Sequence, residues 1–201
     1  MGRIKSSCTQ CRRERTKLFL KGERCLSPKC SVEKRKYPPG QHGSAVMRTT
    51  EYGRRMREKQ KAKRMYGLTE RQFRNYFERA ARTAAATGSK LMELLERRLD
   101  NVVFRLGFAV SRQSARQLVH HGKISVNGKK VDVPSYQIKV NDTIALRPKL
   151  LERISERLKE YTPPSWLSYA PDQSASVLRL PKKDDTERLI EESAIVEYYS
   201  R

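Results

Sequence analysis

The chain has 201 residues, with 44 Lys/Arg against 22 Asp/Glu and a formal net charge of +22. That length suits one or two domains, and a field of that size draws polyanions. No apolar run approaches the ~20 residues that cross a bilayer, and no lipid-facing stripe lies beside the basic residues, so nucleic acid is favoured over a membrane.

In chain order, the first feature is Cys8-x2-Cys11-x13-Cys25-x4-Cys30, set among Arg12, Arg13, Arg15, Lys17, Lys21, Arg24 and Lys29. Zn²⁺ takes four tetrahedral thiolates, and a Cys-x2-Cys turn delivers two of them to one ion. Two disulfides and a redox Cys-x-x-Cys are the competing readings. No apolar signal segment precedes Cys8, as an oxidising compartment would require, and no βαβ pattern surrounds the pair. One structural Zn²⁺ is therefore expected on Cys8, Cys11, Cys25 and Cys30, with His42 as a spare.

Charge is uneven along the chain: residues 1–90 hold 25 Lys/Arg against 7 Asp/Glu, 91–150 hold 11 against 5, and 151–201 hold 8 against 10. Tyr37-Pro-Pro-Gly-Gln-His-Gly43 cannot continue a helix and reads as a turn. Residues 51–66 then read as a very basic helix carrying Arg54, Arg55, Arg57, Lys59, Lys61, Lys63 and Arg64. Only Glu58 offsets those cations within 54–64, so phosphate contact is favoured over a merely solvated face. Thr69-x-x-Gln72 predicts a capping box, with Phe73, Tyr76, Phe77 and Ala80 behind it as core.

In the centre, Leu91, Leu94, Leu95, Leu99, Val102, Val103 and Leu106 fall on one face of a single predicted helix ending at Gly107. Ser111 caps a second helix to about His121, with Ala115, Leu118 and Val119 on one side. Arg112, Gln113, Arg116, Gln117 and His120 take the opposite arc. Residues 123–126 alternate like a strand, and Asn127-Gly128 signals a hairpin returning through Lys129, Lys130, Val131 and Val133. A further pair, about 137–140 and 143–147, is expected to turn at Asn141-Asp142. Trp166 reads as a packing anchor, Val177–Leu180 and Ile195–Tyr199 as short strands, and Asp184-Asp185 with Glu187 as a helix N-terminus.

Three stretches, Arg98–Phe108, Ala115–Gly122 and Val126–Tyr136, resemble the S-four RNA-binding domain. The cysteine-rich start, Tyr37–Gly43, Arg57–Lys61, Tyr66-Gly67, Arg71–Tyr76 and Ile195–Arg201 extend the likeness over nearly the whole chain. It is similar to the bacterial-type ribosomal protein family numbered four of the small subunit, in its zinc-binding, four-cysteine form.

The resemblance implies an α+β fold: a zinc-knuckle arm over 1–45, a mainly helical domain continuing over 46–90, an S-four RNA-binding module over 91–160 with two helices and a small antiparallel sheet, and a C-terminal segment over 161–201 that completes the fold. It implies a cytoplasmic constituent of the small ribosomal subunit that binds the 5′ domain of 16S rRNA and nucleates subunit assembly. It further implies contacts with ribosomal proteins five and three, and a place near the channel by which mRNA enters, with influence on decoding accuracy. Its RNA surface corresponds here to Arg98, Arg105, Arg112, Arg116, His120, Lys123 and Lys129. With the residues above, the candidate RNA-binding set also takes in Arg12, Arg13, Arg54, Arg55, Arg57, Lys59, Lys61, Arg71, Gln113, Gln117 and Asn127. One departure is Ser44-Ala-Val-Met47, where relatives often carry basic residues.

Catalysis is not expected. Arg98-Leu99-Asp100 mimics a pseudouridine-synthase triplet but lies inside the binding module, where helix surface or capping is the expected role of Asp100. His42, His120 and His121 have no nucleophile at a recognisable spacing. A zinc-containing DNA regulator and a free RNA chaperone are the other classes. The former needs a recognition helix tied to the metal site, and only association with ribosomal particles separates the latter.

Overall fold

The computed structural model describes residues 6–45, 48–170, 174–187 and 189–200. Val46 and Met47 of the departing loop, and Arg201 of the terminal motif, lie outside them. The chain divides into two compact units, Met1–Phe73 with Leu189–Arg201, and Arg74–Arg188. The stretch 161–201, expected as one segment, is shared between them.

In the first unit, α1 (Ser7–Glu14) leads through a 3-10 turn (Gly22–Cys25) to the short α2 (Ser31–Lys34). α3 (Glu51–Met65) matches the predicted basic helix and starts where the Thr50 hydroxyl accepts the Gly53 N–H at 3.1 Å. The capping box opening α4 (Glu70–Ala81) is present: Thr69 Oγ1 accepts the Gln72 N–H, and Gln72 Oε1 accepts the Thr69 N–H. Phe73, Tyr76 and Ala80 are buried as expected.

The terminal stretch Ile195–Tyr199 is helical, not a strand. It lies in α9 (Glu192–Tyr199), packed along α3. Its β-branched and aromatic residues have strand propensity, but packing overrides it. Buried Ala194 and Ile195 lie one turn from Tyr198 and Tyr199, a helical spacing. Tyr198 meets Tyr52 with ring centroids 5.6 Å apart, and Phe73 stacks on Tyr199.

The second unit contains α5 (Thr87–Glu96), α6 (Leu99–Arg105) and α7 (Arg112–His120). The strands are β1 (Ile124–Val126), β2 (Lys129–Lys130), β3 (Thr143–Leu146), β4 (Leu167–Tyr169) and β5 (Ala175–Val177), with α8 (Pro148–Glu160) between β3 and β4. The sheet is antiparallel in the order β2-β1-β3-β5-β4. Leu99, Val102, Val103, Leu106, Ala115, Val119, Ile124, Val126, Ile144, Trp166 and Val177 share one core beneath it. Trp166 is fully buried, as its reading as an anchor required. Each buried Leu, Ile or Val adds about 1.5–3 kcal/mol.

Three local expectations are corrected. The single helix expected over 91–106 is two, because Arg98 is extended (φ −66°, ψ 136°) and bridges Gln137. The freed N–H groups at the start of α6 are satisfied by the 134–136 segment, Leu99 N–H donating to Tyr136 O at 2.9 Å and Asp100 N–H to Pro134 O at 3.2 Å. Residues 137–140 are consequently used against the helix break and do not pair with 143–147; β3 pairs with β1 and β5 instead. The strand expected at 177–180 ends at Val177.

Other signals hold. Gly107 ends α6 at φ +66°, where L side chains are strained. Asn127 and Gly128 both have positive φ (51° and 75°), as the two-residue primed turn of a hairpin requires. α8 went unread in the sequence, although Pro148 at its first turn and Leu150, Leu151, Ile154 and Leu158 at helical spacing mark it.

Candidate nucleic-acid interface

The best-defined polar face is on α7. Ser111 Oγ accepts the Ser114 N–H at 3.2 Å, the expected cap, and fixes where the helix begins. Ala115 and Val119 then point into the core, and Gln113, Gln117 and His120 stand exposed on the other side with Arg116 half-buried between them. At 3.6 residues per turn these lie in one column. The helix closes at Gly122 (φ +61°), whose N–H donates to Val119 O while the Lys123 N–H reaches Leu118 O, so the chain passes straight into β1. Lys123 is half-buried at this joint, and Lys129 is exposed on the returning strand. The predicted helix face and the hairpin are thus joined without slack, presenting amides, an imidazole and cations. Shape, 2′-hydroxyl and phosphate recognition uses such groups.

Other predicted residues are committed elsewhere. Arg98, expected on this face, is 1% exposed. Its guanidinium grips Asp100 through two hydrogen bonds and donates to the Tyr76 hydroxyl at 2.8 Å. The Asp100 carboxylate beside it holds Arg98 above its ordinary pKa despite the opposing effect of burial. Asp100 is correspondingly buried, not on the helix surface. It serves a structural ion pair, which removes the catalytic reading of the triplet.

Arg105 lies in a fork on Glu96, at 3.0 and 2.9 Å, and Glu187 approaches both Arg105 and Arg112. Arg112 also donates to Asn101 Oδ1 at 2.8 Å and lies over the Phe104 ring. Burial raises the Glu187 pKa, but Arg112 and Arg105 outweigh it and hold the carboxyl below its usual range. Glu187, expected at a helix N-terminus, is instead a bridge between two arginines. A short 3-10 turn, Lys183–Asp185, precedes it. The Asn127 amide is also used internally, donating to Asp142 Oδ1 at 2.8 Å and accepting the Thr143 N–H at 2.9 Å. It ties the hairpin to the next turn.

In the first unit, carboxylates distant in sequence answer most of the α3 cations. Arg54 meets Glu191 at 3.2 Å, Arg55 meets Glu197 at 2.7 Å, and Arg57 meets Glu14 at 3.4 Å. Arg64 also pairs with Glu14, while Lys59 and Lys63 share Glu70. Lys61 pairs with Glu58 and donates to Leu189 O. Lys59 is 3% exposed and sits over the Tyr198 ring at 4.6 Å, so it is a packing residue rather than a phosphate contact. The charge count within one helix could not show that α1, α4 and α9 supply the missing anions. Arg12 stacks on Tyr37 and donates to its carbonyl, whereas Arg13 and Arg71 are exposed.

The four cysteines come together. Cys8, Cys11, Cys25 and Cys30 line one cavity of about 20 Å³, and none of them forms a disulfide. That is room for about one small sphere. The Lys21 N–H donates to Cys25 Sγ at 3.4 Å. Burial, aided by the other three sulfurs, raises the Cys11 thiol against a stabilising hydrogen bond from the Leu18 backbone. The donor set and its enclosure suit a soft divalent ion, but among the described residues no three Cys, His, Asp or Glu groups stand in metal-holding geometry.

A helix pair running into a twisted hairpin, with its polar face outward, defines a small RNA-binding module. Residues 97–144 match the S4 domain and residues 3–96 match the Ribosomal protein S4/S9 N-terminal domain. Over 203 residues the chain is 51% identical to the small ribosomal subunit protein uS4 of Pelotomaculum thermopropionicum, covering 98% of this chain and 97% of the relative. It is 52% identical to the protein of that name from Dictyoglomus turgidum, covering 96% of each, and 52% identical to that of Geotalea daltonii, covering 97% of each. The chain belongs to the uS4 family of small-subunit ribosomal proteins. Membership carries a structural, non-enzymatic role.

Proposed function

We propose that this chain is a constituent of the small ribosomal subunit in the cytoplasm, binding the 5′ domain of 16S rRNA through the α7 face and the β1–β2 hairpin. The observation that carries this reading is the column of exposed Gln113, Gln117 and His120 leading into Lys123 and Lys129, within the stretch that matches the S4 domain. Phosphate contacts supply the affinity, and the amides and imidazole address sugar and base edges. Early binding there nucleates subunit assembly. Ribosomal proteins five and three are its neighbours, and its place near the channel by which mRNA enters gives it influence on decoding. Co-sedimentation with small subunits, combined with footprinting on naked 16S rRNA, tests the reading. Protection of 5′-domain nucleotides supports it, and failure to protect any overturns it.

In the same reading Cys8, Cys11, Cys25 and Cys30 hold one structural Zn²⁺. Their shared cavity, whose lining carries no Asp, Glu or His beside the four cysteines, supports this. The ion supplies a cross-link, not chemistry, tying α1 to the segment that carries α2.

A further inference from the structure

A second cavity, of about 360 Å³, opens on the second unit beyond the end of α7 and shares Lys123 with the face described above. Its origin is in the strand register. Ser125 stands opposite both Lys130 on β2 and Ala145 on β3, so the three share one face of the sheet. Their neighbours Ile124, Val126, Ile144 and Leu146 turn to the core. Small Ser125 and Ala145 leave a hollow floor. Leu151 of α8 makes an apolar wall, and Lys123, Lys130 and Arg147 also line the cavity. Lys130 and Arg147 are exposed, and the Arg147 N–H donates to Lys123 O, which holds the two rim segments together.

This volume lies within the range of small-ligand sites, and three cations about an uncharged floor fit a phosphate joined to a flat, apolar body. We propose that the cavity receives one nucleotide of the bound RNA, turned out of its stack. Lys123 and Lys130 meet the phosphate, and the base lies between Leu151 and the plane of the Arg147 guanidinium. Single-stranded and bulged RNA is recognised through such splayed nucleotides, stacked on aromatic or arginine planes. The site rests on the RNA-binding reading, yet it is probed without RNA.

The test is titration of the full chain with adenosine and uridine monophosphate, and separately with inorganic phosphate, followed by amide NMR. The nucleotides are expected to shift the amides of Lys123, Ser125 and Ala145, with phosphate at least about tenfold weaker. Arg147→Lys keeps the charge but loses the stacking plane. It should weaken nucleotide binding roughly tenfold, in line with the worth of one stacked base, and leave phosphate binding unchanged. Lys130→Met should weaken both. Equal affinity for phosphate and nucleotide, no response at these amides, or an Arg147→Lys variant that binds nucleotide normally would each overturn the proposal. The same chain assayed for 16S rRNA binding reports separately on the parent reading.

Discussion

The Arg98 guanidinium and the Asp100 carboxylate face each other in a two-point grip, Nε to Oδ1 at 3.1 Å and Nη2 to Oδ2 at 2.7 Å, with side chains 1% and 6% exposed. Only one residue separates them in sequence, so the pair fixes the extended backbone between α5 and α6. Tyr76 closes the remaining side of the guanidinium. Removing one partner of a buried pair strands the other charge, at about 3–5 kcal/mol. Asp100→Ala should therefore destabilise the chain by that order in denaturant unfolding. Arg98→Met with Asp100→Leu, which strands neither charge, should recover much of the loss.

Exposed Lys129 behaves in the opposite way. Lys129→Ala should leave unfolding within about 0.5 kcal/mol of the parent and lower the salt slope of RNA binding by about one. If some 6–10 phosphates are contacted, affinity should fall roughly 10³–10⁵ between 50 and 200 mM salt, taking the duplex-DNA relation as a guide. Filter binding across that range measures both quantities. A nearly flat salt response would contradict a phosphate-dominated interface.

Glu187 sets an acid limit on the second unit. Arg112 and Arg105 hold its folded pKa below the ordinary value, so it stabilises the fold at pH above ~4.3, the unfolded value. That contribution is lost as pH falls through the folded pKa. Hydrogen exchange of α7 amides should accelerate as pH drops below about 4 beyond the intrinsic trend. Glu187→Gln should be less protected at neutral pH and show a flatter profile. An identical pH profile in the variant would exclude Glu187 as the source.

The cysteine cavity gives a separable outcome. The full chain should bind one equivalent of Zn²⁺, and metal removal should open residues 6–35 to protease while the module at 91–150 stays folded. Intact resistance of that arm after verified metal removal would exclude a structural ion there.

Much of the second unit was legible because its signals are local. Ser111 as cap, Asn127-Gly128 as turn, Gly107 as stop and the Ala115–Val119 stripe each act within a few residues. What escaped were partnerships across sequence. A run of seven cations in α3 looks unanswered until Glu14, Glu70 and Glu197 arrive from other helices and Glu191 from the residue before α9. Arg98 looks like one more surface arginine until Gln137, Asp100 and Tyr76 enclose it. α9 looks like a strand until α3 supplies the surface against which a helical spacing packs. Lys130 and Arg147 escaped for a related reason: only the register of β2, β1 and β3 puts them around one hollow.

In the proposed function RNA is held by the α7 column and the hairpin, not by the paired arginines beside them. The direct measurement is the affinity of the full chain for the 16S 5′ domain, with Gln117→Glu and Lys129→Glu combined on that face. The variant is expected to keep its unfolding midpoint and to lose at least tenfold in affinity, with 5′-domain protection fading in step. Unchanged affinity and unchanged protection in the folded variant would contradict the account.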